Sequence, residues 1–170
     1  CKTAREGVQV VAQLMKEFGY RSTRSYHIVD KDEGWVVQLT VGNNFVAKKV
    51  GDDEIYYIPN WLTIHEVDFT DTEHKNFYWS EDVVGYAIRN GWYTPAVEGD
   101  YSDFDFAAVY QDGPVKQYNI LRARNAWRLL KGVELSDDEI MPCASPLGYP
   151  AKKMSIREGM MRKAIKADER

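Results

Sequence analysis

The sequence predicts an α+β fold in which an antiparallel sheet is flanked by helices. Three observations carry this. Apolar residues recur at helical spacing near the start, four short strand patterns with hairpin-length turns follow, and the remainder is mostly helical in pattern. With 170 residues and 19.6 kDa, the chain has the size of a single domain over residues 1–170. A chain of this size buries roughly 70% of the surface its unfolded form exposes. An apolar fraction of 44% against 28% charged is the balance of a globular protein and argues against disorder.

Each element has its own signal. Thr3 and Glu6 have the spacing of a capping box, in which two side chains satisfy free N–H groups at a helix start. Val8, Val11, Ala12, Met15 and Phe18 then form one apolar helical face, and Gly19 is the stop. Ser25 to Asp30 is the first strand, Lys31 to Gly34 a charged turn, and Trp35 to Val41 the second strand. Gly42, Asn43 and Asn44 make a tight turn into the third strand, Phe45 to Val50. After an acidic turn at Asp52, Asp53 and Glu54, Ile55 to Ile58 is the expected fourth strand, closed by Pro59 and Asn60. Ser80 is the expected cap of a helix through Ile88, with Glu81 and Asp82 at its positive end. A short helix is expected around Phe104 to Tyr110. A longer one is expected over Tyr118 to Lys131, with Ile120, Ala123, Trp127 and Leu130 on a face. Pro142, Pro146 and Pro150 mark an extended loop, and Ser155 with Glu158 a second capping box before a last helix.

Composition narrows the function classes. A net charge of −4 and a pI near 5.4 give no basic footprint for nucleic acid or an anionic membrane. No apolar run approaches the length of a membrane span, and the opening residues lack the pattern of a secretory leader. Cys1 and Cys143 make neither a disulfide framework nor a metal cluster, and His27, His65 and His74 lack metal-ligand spacing. Asp30 to Gly34 begins like a calcium loop, but Trp35 and Val41 stand where that loop needs glycine and glutamate. No dinucleotide, phosphate-loop or nucleophile-elbow motif is present, so no metal and no cofactor are expected. Eleven tyrosines and five tryptophans suit a fold with a lined pocket.

The strand block is more specific. Arg24 to Phe69 contains the Ser-Tyr-His-Ile strand, the Asp30–Val36 hairpin with Glu33-Gly34-Trp35, the Val-Ala-Lys-Lys-Val strand at 46–50, Asp52-Asp53-Glu54, and a segment ending Ile58-Pro59-Asn60. This stretch closely resembles the dipeptidase family of N-terminal-nucleophile hydrolases, related to penicillin V acylase and bile salt hydrolase. The resemblance extends back through Thr3 to Tyr20. It extends forward through Asp105, Phe106, Tyr110, the 118–130 helix and residues 150–158, for about 150 of the 170 residues.

The resemblance implies a layered αββα sandwich, of which this chain is a portion, and a metal-free cysteine hydrolase. In that family the nucleophile is a cysteine at the mature N-terminus, whose α-amine serves as base. An α-amine titrates near ~8, so it accepts a thiol proton at neutral pH without a histidine. The family nucleophile is followed by a strand, whereas Cys1 is followed by a helix pattern. The match therefore implies that Cys1 lies inside the family sequence and that the nucleophile segment precedes this stretch. Cys1 as the nucleophile of a compact variant is the other reading.

The resemblance also implies site residues. Asn60 closes the Ile-Pro-Asn segment, where the related acylases carry an asparagine that binds the oxyanion, and its amide supplies the donor. An arginine from the 121–125 segment would reach toward the nucleophile, Arg122 first and Arg124 second. Its fixed charge would lower a thiol pKa or orient substrate. Trp61, Asp103 and Asp105 are expected to bind substrate, the two carboxylates by holding a peptide's free amino terminus.

The expected partner is a short peptide, together with a homo-oligomer contact or association with the remainder of the enzyme. Relatives occur inside bacterial cells and exported, and both compartments stay open. The alternative is a non-catalytic module derived from this fold, binding a peptide or glycan through exposed Trp61, Trp92 and Tyr93.

Overall fold

The structure is a computed structural model that describes residues 1–58, 60–111, 113 and 115–140. The prolines at 142, 146 and 150, Cys143 and the Ser155–Glu158 box lie outside the described residues. The elements run α1 (Ala4–Phe18), β1 (Arg24–Val29), β2 (Gly34–Leu39), β3 (Phe45–Lys49), β4 (Phe77–Trp79), α2 (Val83–Arg89), α3 (Phe106–Tyr110), α4 (Gln117–Lys131) and α5 (Asp137–Ile140). Helices with one antiparallel sheet of order β1-β2-β3-β4 make this an α+β fold. The chain forms two compact units, one of Cys1–Ile58 with Leu62–Tyr110, the other of Pro59–Trp61 with Gln111–Arg170.

In the first unit, α1 starts at Thr3, whose hydroxyl accepts the Glu6 N–H at 3.1 Å. The reciprocal half of the capping box is displaced, because the Glu6 carboxylate takes the Lys2 N–H at 2.6 Å. A further orphan donor, the Ala4 N–H, is taken by Asp30 from the β1–β2 turn at 2.6 Å. At the other end Gly19 adopts φ 64°, and the Asn43 carboxamide donates to the carbonyls of Met15 and Lys16 at 2.6 and 3.2 Å. Both ends of α1 are thus closed by turns of the sheet. Gly7 faces β1 so closely that a Cβ there would meet Ile28 Cγ2 at 2.8 Å. Val8 and Met15 are buried and Val11 and Ala12 pack beside them, but Phe18 is 72% exposed. Ten residues beyond Val8, it stands about 80° around the helix from the buried line.

β2 and the first half of β3 are buried on both faces, which is why β2 is a nearly continuous apolar run. Trp35, Val37 and Leu39 of β2, with Phe45 and Ala47 of β3, pack beneath α1. Val36 and Val46 point the other way, into a core with Leu62, Ile64, Phe104 and Phe106. The register pairs Tyr26 and Ala47 to Val37 from either side.

The fourth strand is not where the sequence suggests. Ile55 to Ile58 forms no ladder; Phe77–Trp79 occupies the edge, with Ala47 opposite Tyr78. The alternation at 55–58 is nonetheless physical. Tyr56 and Ile58 pack on the core while Ile55 and Tyr57 are exposed, so the period reports extended chain and not pairing. The Asp71 carboxylate delivers β4 to β3 by accepting the N–H groups of Lys75, Asn76 and Phe77 at 2.7–2.9 Å. Ser80 does not cap α2 with its side chain. Its hydroxyl accepts from the Phe45 N–H and donates to Asn44, and Asp82 is the N-cap residue. The first N–H groups of α3 reach carbonyls of the 62–65 segment, Phe106 to His65 and Ala107 to Ile64, both at 2.9 Å.

In the second unit, α4 ends on Gly132 in the left-handed region, its N–H on the Arg128 carbonyl at 3.0 Å. Ile120 and Ala123 are buried, while Trp127 and Leu130 are exposed, so the expected apolar face is buried only in its first half. α5 opens with a complete capping box: Glu139 accepts the Ser136 N–H at 2.8 Å and Ser136 Oγ accepts the Glu139 N–H at 3.4 Å.

Candidate functional site

Asn60 is exposed and holds φ 70°, one of two non-glycine residues in the left-handed region among the described residues. Asparagine tolerates that region better than other L-residues, and such residues concentrate where a chain is bent for function. The chain is fixed three residues later. The buried Gln38 carboxamide of β2 accepts the N–H groups of Thr63 and Ile64, both at 2.9 Å, and donates to the Thr63 hydroxyl at 3.1 Å. Between them stand Trp61, 6% exposed, and the fully buried Leu62.

Arg122 and Arg124 project from α4, in the unit that includes Asn60. Arg122 is exposed, and its guanidinium lies 5.2 Å from the centre of the Tyr118 ring one helical turn back. Arg124 is held in place: it pairs with Asp137 of α5, and its Nε donates to the Leu135 carbonyl at 3.3 Å. Among the described residues no hydrogen bond or ion pair joins Asn60 to either arginine. Arg124 therefore ties α4 to α5, and Arg122 is the one whose guanidinium faces solvent.

The acidic candidates lie in the first unit, each with an internal partner. Asp103 accepts from the Tyr93 hydroxyl and from the Ala96 N–H at 3.3 Å. Burial, and then the hydrogen bond to Asp103, push the Tyr93 phenol well above its ordinary pKa, so it donates and does not act as a base. Asp105 accepts the Ala108 N–H at 2.6 Å at the start of α3, and both its oxygens lie 2.9–3.0 Å from Nδ1 of His65. His65 and Tyr93 are partners that no local motif announces, since 40 and 10 residues separate them from their carboxylates. Trp61 and Tyr93, expected as exposed aromatics, are buried at 6% and 8% exposure. Trp92 packs edge-on against Tyr86 and Tyr110. Cys1 is a free, exposed thiol ahead of α1. Among the described residues, no group of three or more His, Cys, Asp or Glu side chains is placed to hold a metal ion.

The sequence model of peptidase family C69 matches residues 1–162. The chain belongs to peptidase family C69. Its relatives include a probable dipeptidase B of Streptococcus pyogenes serotype M1, 37% identical over 100 residues, covering 59% of this chain and 20% of the relative. A dipeptidase of Bifidobacterium longum (strain NCC 2705) is 34% identical over 91 residues, 52% of this chain and 17% of the relative. A probable dipeptidase B of Lactococcus lactis subsp. lactis (strain IL1403) is 27% identical over 115 residues, 68% of this chain and 23% of the relative. The matched stretch thus spans about a fifth of the length of these relatives. All three are bacterial proteins. Among the described residues no helix is long and apolar enough to cross a membrane.

Proposed function

We propose that this chain forms part of a cysteine-type dipeptidase that hydrolyses the peptide bond of short peptides through an acyl-enzyme. The observation that carries the reading is the C69 match over residues 1–162, together with relatives named as dipeptidases. In the proposed reaction a cysteine thiolate attacks the peptide carbonyl carbon. Charge collects on the carbonyl oxygen, the C–N bond breaks, and the leaving amine departs with a proton. Water then hydrolyses the thioester and regenerates the thiol.

Asn60 is the proposed donor to the developing oxyanion. Its exposure and its bent backbone, with the chain fixed at Thr63 and Ile64, suit a preorganised donor. Arg122 is the proposed cation near the nucleophile or the substrate carboxylate. Asp103 and Asp105, which accept from Tyr93 and from Ala108, are the proposed acceptors for a peptide's free ammonium.

Treating the protein that carries this chain with a thiol-alkylating reagent, then measuring release of free amino acids from a dipeptide panel, tests the reading. Hydrolysis is expected before alkylation and abolished after it. Mass analysis of the alkylated protein then says whether Cys1 carries the label. Hydrolysis that persists with every thiol blocked would overturn the cysteine mechanism.

A further inference from the structure

The sheet has two edges, and they differ in length. β4 spans three residues, whereas β1 spans six, paired to β2 along one side only. The ladder fixes where the β1 backbone points. The Asp30 N–H bonds the Glu33 carbonyl, so bonded pairs recur at every second residue, at Ile28–Trp35, Tyr26–Val37 and Arg24–Leu39. The other alternate residues of β2 face β3, as the bonds from Val50 N–H to Gly34 and from Thr40 N–H to Asn44 require. The N–H and C=O groups of Ser25, His27 and Val29 therefore point away from β2, out of the sheet edge.

Edge strands are ordinarily blunted by proline, lysine, a bulge or a covering element. β1 contains neither proline nor lysine, and its register with β2 runs without a bulge. Tyr26, at 41% exposure, and Val29, at 69%, stand beside the bare backbone. Arg24 is exposed at one end of the strand. At the other end the Asp30 carboxylate accepts three backbone N–H groups and forms no ion pair among the described residues.

We propose that β1 is a dimerisation edge, pairing antiparallel with β1 of a second copy of this chain about a two-fold axis at His27. That register sets His27 opposite His27 and Ser25 opposite Val29, so every outward N–H and C=O group of β1 is bonded. Between these bonded pairs it sets Tyr26 opposite Ile28, an aromatic against a β-branched side chain. Ile28 already packs beneath α1, so the new pair extends an apolar layer that exists in each copy. Beyond them Arg24 of each copy stands opposite Asp30 of the other. A shift of register leaves outward groups unpaired and parts Arg24 from Asp30, and a parallel copy would set like ends side by side. The strand is thus its own complement in backbone and in charge, which selects a second copy as the occupant.

The test is sedimentation equilibrium of the protein carrying this chain over a range of concentrations, with amide hydrogen exchange at both ends of the range. A dimer that dissociates on dilution is expected. The amides of Ser25, His27 and Val29 should exchange slowly in the dimer and fast in the monomer. His27→Glu sets two carboxylates opposite each other, and Arg24→Glu sets a carboxylate against Asp30 of the second copy. Each should weaken association by about three- to tenfold. Both side chains are exposed, so thermal unfolding of the dilute protein should match the parent. A monomer at every concentration, or a dimer whose affinity either folded variant leaves unchanged, would overturn the proposal. So would full protection of the three amides in the monomer, which would put another strand of the same protein on this edge. Nothing in these readouts depends on hydrolysis, so the proposal stands or falls apart from the dipeptidase reading.

Discussion

Gln38 is the single polar side chain on β2, and it is completely buried. Its four bonds, to Ser25, to the Thr63 hydroxyl and to two backbone N–H groups, leave no polar atom of the carboxamide idle. It holds the 63–64 segment on the sheet without a strand ladder. Gln38→Ala would leave the Thr63 and Ile64 N–H groups without acceptors, a cost of about 1–3 kcal/mol for each buried group. We expect the urea midpoint to fall by an amount equivalent to roughly 2–4 kcal/mol; a midpoint within error of the parent would contradict this role. The sequence gives Gln38 no prominence, because a glutamine in an apolar run has the same letter whether it is bonded inside or facing water. The same applies at the candidate site. The Ile58-Pro59-Asn60 segment made Asn60 visible, whereas the partners of Asp105 and Arg124 depend on folding across 40 and 13 residues.

At the scale of elements, two carboxylates organise turns. Asp30 accepts from Ala4, Asp32 and Glu33, and these backbone bonds, led by Ala4, hold its pKa below the ordinary range. At Asp71 burial works in the opposite direction, but bonds from Asn76, Phe77 and Lys75 outweigh it and the pKa is again lowered. Because both groups have folded values below their unfolded ones, their stabilising effect is fully present above about pH 4 and is lost as pH falls through the depressed values. Their contribution should therefore be flat from neutral pH to about 4 and fall below it. Asp71→Asn should flatten that acid limb when thermal unfolding is followed against pH; an unaltered limb would show that the acid sensitivity arises elsewhere. These turns also explain which elements were legible. α1, β1 to β3, α3 and α4 follow from their own periodicity. β4 is three residues long, and its pairing depends on Asp71 capping the loop before it, so no period reveals it. Ile55–Ile58 has the period and lacks the partner.

For the whole molecule, membership of peptidase family C69 rests on residues 1–162, and the dipeptidase reading rests on that membership. The central claim is that Asn60 donates to the oxyanion in that reaction. It is tested most directly by kcat for a dipeptide in the protein carrying this chain, comparing the parent with Asn60→Asp and Asn60→Gly. Both substitutions are compatible with φ 70°. Removal of one oxyanion donor lowers kcat by about 10²–10³. The claim predicts a loss of that size in both variants, with KM changed little and thermal stability preserved. A kcat within a few-fold of the parent in folded Asn60→Gly would contradict it.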